Sequence, residues 1–600
     1  MNRFLTRAGL AFVTLAMSAS LSFAVTVVVT STADVVTGCA TTGSPAPGSG
    51  GCTLRDAILY SDANPPTPPA RNLIAFDIPG SGVQLIAAAS PLPPITAAAV
   101  VDGYTQPGAS PNTQAIGSDA VILVSVRGDQ TLTRLLTVSG GAGSVIRGLT
   151  IDVVDDGNNF DTPPTAVTLA SCCNVVTGNF IGTDPSAFDG GVEVDGSDNV
   201  VGGPAPADRN VLGARGDSVI VLLAGERNLV QGNYIGVDAS GAGGSPFAGL
   251  GVDIEANSNQ VIGNVISEMF GGGVAVLSDG NTISGNRIGT DATGTFPLGN
   301  NLLFGVHLGG SDNVVGAANS TNPILGALFD GNVIAYAGGD GITDYGVRNS
   351  ILSNAVFSNG FLGIDLGVDG VTPNDPGDGD TGANEFQNFP LLTSASGPGP
   401  KTKIAGTLNS AAHTTYRVQL FSNSSCDPSG YGEGETLVDE IFVTTNAKGN
   451  AAIHDQVFPR IPPGEFVTAT ATDPAGNTSE FSPCVIVTLV DPPPPPPFVT
   501  ITRFLEEGPI RVAPGVPVEV PVGVGAREEA RETPSGAVEI ADGAGDACQA
   551  TLIRTGVGAC ALTFASPGTY RIRAHYPGAA EFLGSDSEAL VVKVKEGSRD

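Results

Sequence analysis

Branched aliphatic residues alternate with polar ones in short runs through the middle of the chain, and the runs recur. The recurring unit reads Asn-x-(Val/Ile)-x-(Gly/Ser)-Asn-x-(Ile/Val). Its copies are Asn174-Val176-Gly178-Asn179-Ile181, Asn228-Val230-Gly232-Asn233-Ile235, Asn259-Val261-Gly263-Asn264-Ile266, Asn281-Ile283-Gly285-Asn286-Ile288 and Asn349-Ile351-Ser353-Asn354-Val356. A degenerate copy, Ser144-Ile146-Gly148-Leu149-Ile151, lies upstream. A period of two in branched aliphatics predicts strands and not helices. Gly-Asn supplies a corner with unusual backbone angles. Asn259 and Asn281 are 22 residues apart, as are Asn332 and Asn354, whereas Asn179, Asn233 and Asn286 step by 54 and 53. These are single-coil steps and two-coil steps with longer loops, the signature of a solenoid.

Stacking such coils places Asn over Asn, so that side-chain amides hydrogen-bond along the stack. It also buries a continuous column of Val, Ile and Leu. The expected shape is a right-handed parallel β-helix. A leucine-rich repeat is excluded, because the Leu-x-x-Leu-x-Leu pattern is missing. The run Cys52 to Leu59 carries Leu54, Ile58 and Leu59 at helical spacing behind a Thr53 N-cap. A short helix there would plug the open end of the stack. After Pro390 the pattern changes to longer alternating strands such as Tyr416–Phe421 and Phe466–Ala471, separated by Gly, Asn and Pro turns. The fold class is therefore all-β: a parallel β-helix followed by two immunoglobulin-like β-sandwiches. The domain reading is a signal peptide over 1–24, the capped β-helix over 25–395, a sandwich over 396–490, a proline linker over 491–497 and a second sandwich over 498–596.

Cys52-Thr53-Leu54-Arg55-Asp56-Ala57-Ile58 resembles the Cys-Ser-Leu-Arg-Glu-Ala-Ile motif of exported bacterial β-helix surface proteins, with Thr for Ser and Asp for Glu. Asn72–Phe76, Leu92–Thr96, Asp102–Gly108, Gly178–Asp184 and Leu362–Gly367 look like segments that follow this motif in such proteins. The resemblance covers about residues 25–490. It implies a β-helix architecture and export, and says little about activity. Gly568–Tyr576, with Pro534-Ser535-Gly536 and Phe582–Ser585, resembles bacterial immunoglobulin-like repeats.

Composition sharpens this picture. The chain has 82 Gly, 44 Pro and no Trp, as expected of a turn-rich β protein. Arg3, Arg7, the apolar run Ala8–Leu21 and the small residues before Val25 read as a secretory signal. No later segment is long and apolar enough to span a bilayer as a helix. Eight cysteines in an exported chain are expected to oxidise. The pairs by proximity are Cys39 with Cys52, Cys426 with Cys484 and Cys548 with Cys560. Adjacent Cys172 and Cys173 read as two buried thiols, since a bridge between neighbours is strained. A net charge of −32 excludes nucleic acid and anionic membranes as partners.

Three places carry candidate chemistry. The first is the acidic loop 374–385, whose Asp375, Asp378, Asp380 and Glu385 offer the oxygens a calcium ion needs; a solvated hinge loop is the alternative. The second is an edge of loops at Asp184, Asp238 and Asp291, which recur at one corner and would present a repetitive surface to a glycan. The third is a polysaccharide-cleaving site. Asp155-Asp156 fits one, but the Gly-His-Gly, Asn-Thr-Asp and Arg-Ile-Lys motifs are missing, and His307 reads as an isolated outward side chain. No catalytic residue is assigned. The expected function is a secreted or cell-surface, non-catalytic protein in adhesion or extracellular glycan or matrix binding. The alternative is a polysaccharide lyase or glycoside hydrolase acting on acidic glycans.

Overall fold

The repeat folds into coils, most of which give one short strand to each of three parallel sheets. The computed structural model describes residues 23–36, 38–39, 51–129, 131–154, 164–183, 191–213, 218–244, 249–299, 303–317, 331–397, 400–489, 498–527, 533–579 and 582–596. The signal segment 1–22, Asp155, Asp156, Asp184 and the prolines 492–497 lie outside the described residues. The first sheet runs from Phe23–Val29 to Ser350–Leu352, the second from Gln84–Ala88 to Ala355–Phe357, and the third from Arg134–Val138 to Ile364–Leu366. Each strand pairs with its counterparts in the coils before and after. This is a parallel β-helix.

Register explains the core. Val176, Val201, Val230, Val261 and Ile283 stack in one column of the first sheet, and all are buried. Two asparagine ladders flank that sheet. In one, the backbone N–H of Asn228 donates to Asn259 Oδ1 at 2.8 Å, that of Asn259 to Asn281 at 2.7 Å and that of Asn281 to Asn313 at 2.8 Å. In the other, Asn233 donates to Asn264, Asn264 to Asn286 and Asn286 to Asn332, each at 2.9 Å. These amides are buried, so every bond also spares a backbone group from being orphaned. The residue before the first ladder has positive φ in coil after coil: 69° at Cys173, 60° at Asp198, 59° at Arg227, 61° at Ser258 and 60° at Asp312. The left-handed corner is thus a property of the coil, held in place by the ladder beneath it.

The helix Leu54–Ala63 closes the first end, with Thr53 Oγ1 accepting from Asp56 N at 3.1 Å. Its buried stripe is Leu54, Ala57, Ile58 and Ser61. Leu59, expected on that stripe, is 44% exposed, because the helix turns it one position past the buried face.

The other end is closed by the first sandwich. Its strands include Leu391–Ser396, which pairs antiparallel with Lys401–Asn409 and parallel with Val485–Thr488. Phe421 and Phe481 meet edge-on at 5.4 Å and join the apolar core of the rod. The last coils would leave a row of unpaired N–H groups. Sandwich side chains accept them: Asn477 from Arg348 at 2.6 Å, Thr478 from Ile351 at 3.0 Å and Gln419 from Ser353 at 2.9 Å. Two buried carboxylates complete the seal. Glu433 accepts from Asn359 Nδ2 at 2.7 Å, and Glu480 accepts from Leu366 N at 3.1 Å and Thr372 N at 3.0 Å.

Residues 498–596 form a separate sandwich. One sheet holds Thr500–Phe504, Pro517–Ala526 and Val557–Thr563, and the other is built on Gly568–Ala579. Val522, Ile540, Phe564 and Tyr576 fill the space between them.

Candidate functional site

The third sheet gathers side chains that lie far apart in sequence. Its register sets Glu193, Val221, Asp253, Ala275, His307, Thr343 and Asp365 in one row. This row alternates with the core-facing column, as period-two geometry requires. At its centre three rings collect. Phe304 and His307 lie 5.1 Å apart, and His307 and Tyr345 lie 5.6 Å apart at 64°. His307 Nδ1 is 2.8 Å from Thr343 Oγ1, and burial lowers its pKa, favouring the neutral imidazole. His307 therefore points outward, but it is not isolated. Tyr345 is 54% exposed, and Leu277, Leu303 and Phe361 are exposed nearby along the chain's coils.

Carboxylates stand along the same sheet, Asp340 paired directly with Phe304, Asp253 two strands and Glu193 four strands from His307. Burial pushes Asp253 up to about 6, with Glu255 adding to the rise. Burial likewise raises Glu193, against the pull of its ion-pair partner Arg134. Asp340 is pushed to about 6 by burial and by Asp365. Within the row of strands, Arg134 is the only described cation, and Glu193 already engages it.

One carboxylate lies inside the rod. In the third sheet's inner column, Val194, Leu222, Ile254, Val276 and Leu308 are followed by Asp344 and then Leu366. Asp344 Oδ1 accepts from Gly346 N at 2.8 Å and Asn349 Nδ2 at 2.7 Å, while Oδ2 has no partner. Burial pushes its pKa to about 7.

The residues expected from sequence fall in other places. Oxygens of Asp375, Asp378 and Asp380 lie within 4.8 Å of one another; Glu385 is not part of this group. Asp378 already accepts from Gln387 Nε2 at 2.7 Å, Asn388 N at 2.9 Å and Ser410 Oγ. These bonds staple the loop to the sandwich. Asp238 caps its own turn through Ser240 N at 2.9 Å, and Asp291 does so through Thr295 N and Phe296 N at 3.1 Å. Their loops stack, with Ala292 N donating to Gly241 O at 2.8 Å. The disulfides Cys39–Cys52, Cys426–Cys484 and Cys548–Cys560 are formed, with Cα separations of 4.9, 6.0 and 5.9 Å. Cys172 and Cys173 are free but not buried: Cys172 is half-buried and Cys173 exposed. The left-handed corner at Cys173 turns this pair outward from the ladder.

Residues 505–595 match the family model described as bacterial Ig-like domain (group 3). No curated protein matches the chain. Among solved structures, the Clostridium thermocellum CbhA fibronectin(III)-like modules are 14% identical, over 35% of this chain and 93% of that one, with a TM-score of 0.13. The D0-D1 domain of intimin is 15% identical, over 34% and 98%, with a TM-score of 0.12. Geobacillus virus E2 ORF18 is 10% identical, over 71% and 81%, with a TM-score of 0.30. TM-scores this low carry no argument about function. Among the described residues no helix is long and apolar enough to cross a membrane.

Proposed function

We propose that the chain is an exported, non-catalytic surface or extracellular protein that binds a glycan or matrix polymer on the outer face of its third sheet. The observation that carries this reading is the cluster of Phe304, His307 and Tyr345 rings on the rod, larger than the Tyr336–Phe357 pair at 5.7 Å. Aromatic faces suit the apolar faces of sugar rings, and a rod keeps their spacing fixed. Three formed disulfides support an oxidising compartment. The test is retention of the protein on immobilised polysaccharides. Replacing Tyr345 with Ala should weaken retention about two- to tenfold, the value of one aromatic contact. Unchanged retention in that variant would remove the third sheet as the binding face.

The alternative, cleavage of acidic glycans, draws support from Asp253 and Asp340, whose pKa near 6 suits proton transfer. The same carboxylates repel an anionic polymer, which favours the binding reading. New chain ends released from a polymer would reverse that judgement. Calcium bound by Asp375, Asp378 and Asp380 belongs to this proposal as a brace between rod and sandwich. Its check is a fall in thermal midpoint on chelation that the Asp380→Asn variant does not show.

A further inference from the structure

A cavity of about 610 Å³ opens where the last coils meet the sandwich loop that follows Cys426. Asp340, Asp365 and Asp427 line it together with Phe361, Val368 and Pro428. Asp340 and Asp365 are only 7% and 5% exposed. Asp340 accepts from Leu362 N at 2.9 Å, and Asp365 accepts from Gly370 N at 3.3 Å. The other oxygen of Asp365, Oδ1, is buried and has no hydrogen-bond partner. No Lys, Arg or His among the described residues lines the cavity. Buried carboxylates are ordinarily paired, and an unpartnered oxygen is costly to keep.

A donor from outside would satisfy that oxygen. The cavity is too large for a bare cation, and its apolar wall suits a carbon frame beside the charge. Phe361, 66% exposed at the rim, offers a ring face to a cation. Val368 holds φ at 58°, strained for a β-branched residue, and that conformation is part of the wall.

We propose that this cavity binds the ammonium group of a free amino sugar within a cationic polysaccharide. This rests on the reading of the third sheet as a glycan-binding face, since Asp340 pairs in register with Phe304 of the ring cluster. The ammonium would lie between Asp340 and Asp365, donating to the unpartnered Oδ1, while the polymer continues across the rings. The net charge of −32 would draw a polycation toward the protein.

The experiment is calorimetric titration of the whole secreted chain at physiological salt. The probes are a glucosamine tetramer, its fully N-acetylated counterpart and trilysine. The expected result is binding of the glucosamine tetramer at least about tenfold tighter than the acetylated one, a preference that a charge-assisted contact supplies. Asp365→Asn and Asp340→Asn should each erase that preference while the thermal midpoint stays within a few degrees. Asp439→Asn, which removes one charge from exposed sandwich surface, should keep it. Equal binding of both tetramers would overturn the ammonium site and leave the glycan face standing. Binding of trilysine alone would overturn both. Binding that Asp439→Asn weakens as much as Asp365→Asn would reduce the effect to bulk charge and overturn the site.

Discussion

Asp344 sits where its neighbours above and below, Leu308 and Leu366, are aliphatic, and this makes the rod's stability depend on pH. Its folded pKa is about 7 against an ordinary 3.8. The native state therefore holds the proton more tightly than the unfolded chain, so stability is lowest when Asp344 is ionised. It rises as pH falls through 7, and the gain is complete below the unfolded value. A rise of this size corresponds to about 4 kcal/mol, of which roughly 2–3 kcal/mol is recovered between pH 8 and pH 5. Asp344→Asn removes the ionisation and keeps an oxygen for Gly346 N and Asn349 Nδ2. It leaves an amide N–H₂ where Oδ2 had no partner, at a cost of about 1–3 kcal/mol. The variant should therefore gain on the native protein at pH 8 and lose that advantage by pH 5. Paired urea unfolding curves at pH 5, 6, 7 and 8 measure the difference, and the other titrating groups cancel between the two proteins. A difference independent of pH would refute the reasoning, because Asp344 would then not change charge in that range.

Glu480→Ala should lower the thermal midpoint of the rod and first sandwich, since it orphans the buried N–H of Leu366, worth about 1–3 kcal/mol, and the half-buried N–H of Thr372; Glu480→Gln, which keeps an acceptor, should lower it less. Asn264→Ala breaks five side-chain hydrogen bonds, two from Asn233 and one each to Asn286, Val230 and Ile262, and should cost on the order of 3–5 kcal/mol in denaturant unfolding. Thiol titration of the native protein should count two reactive groups, Cys172 and Cys173, with no more released by denaturant. The reaction of Cys173 should quicken steadily up to high pH, because its hydrogen bond to Cys172 raises its thiol to about 11.

The rod was legible because its determinants are local and repeated. Alternating Val and Ile, the Gly-Asn corner and the 22-residue step all fall within one coil. Reading stopped where loops split the unit. Asn199 and Asn210 are two halves of one copy divided by a loop, as are Asn313 and Asn332; the 22-residue step to Asn354 marks Asn332, but only register shows that the other three complete the ladders. The acidic loop was legible as a cluster, but its staples to Gln387, Asn388 and Ser410 were not. The ring cluster escaped because Phe304 and His307 share one strand but Tyr345 follows the strand of the next coil, and only the stacking of those two strands makes the three neighbours. Asp344 escaped for a related reason. Within its own strand it follows Ile342 at a spacing of two, and nothing local says that Leu308 and Leu366 flank it.

The seal at the end of the rod is made by residues that come late in the chain. The last strand of the third sheet ends at Leu366, and the Glu480 that covers it lies 114 residues further on. A chain emerging from its N-terminus therefore completes every coil while the final edge still faces solvent, and it stays open until the sandwich has been made. During that interval the exposed strands are a template for a second unfinished copy. Any delay in synthesis between Leu366 and Glu480 lengthens the interval in which that edge is open to a second copy.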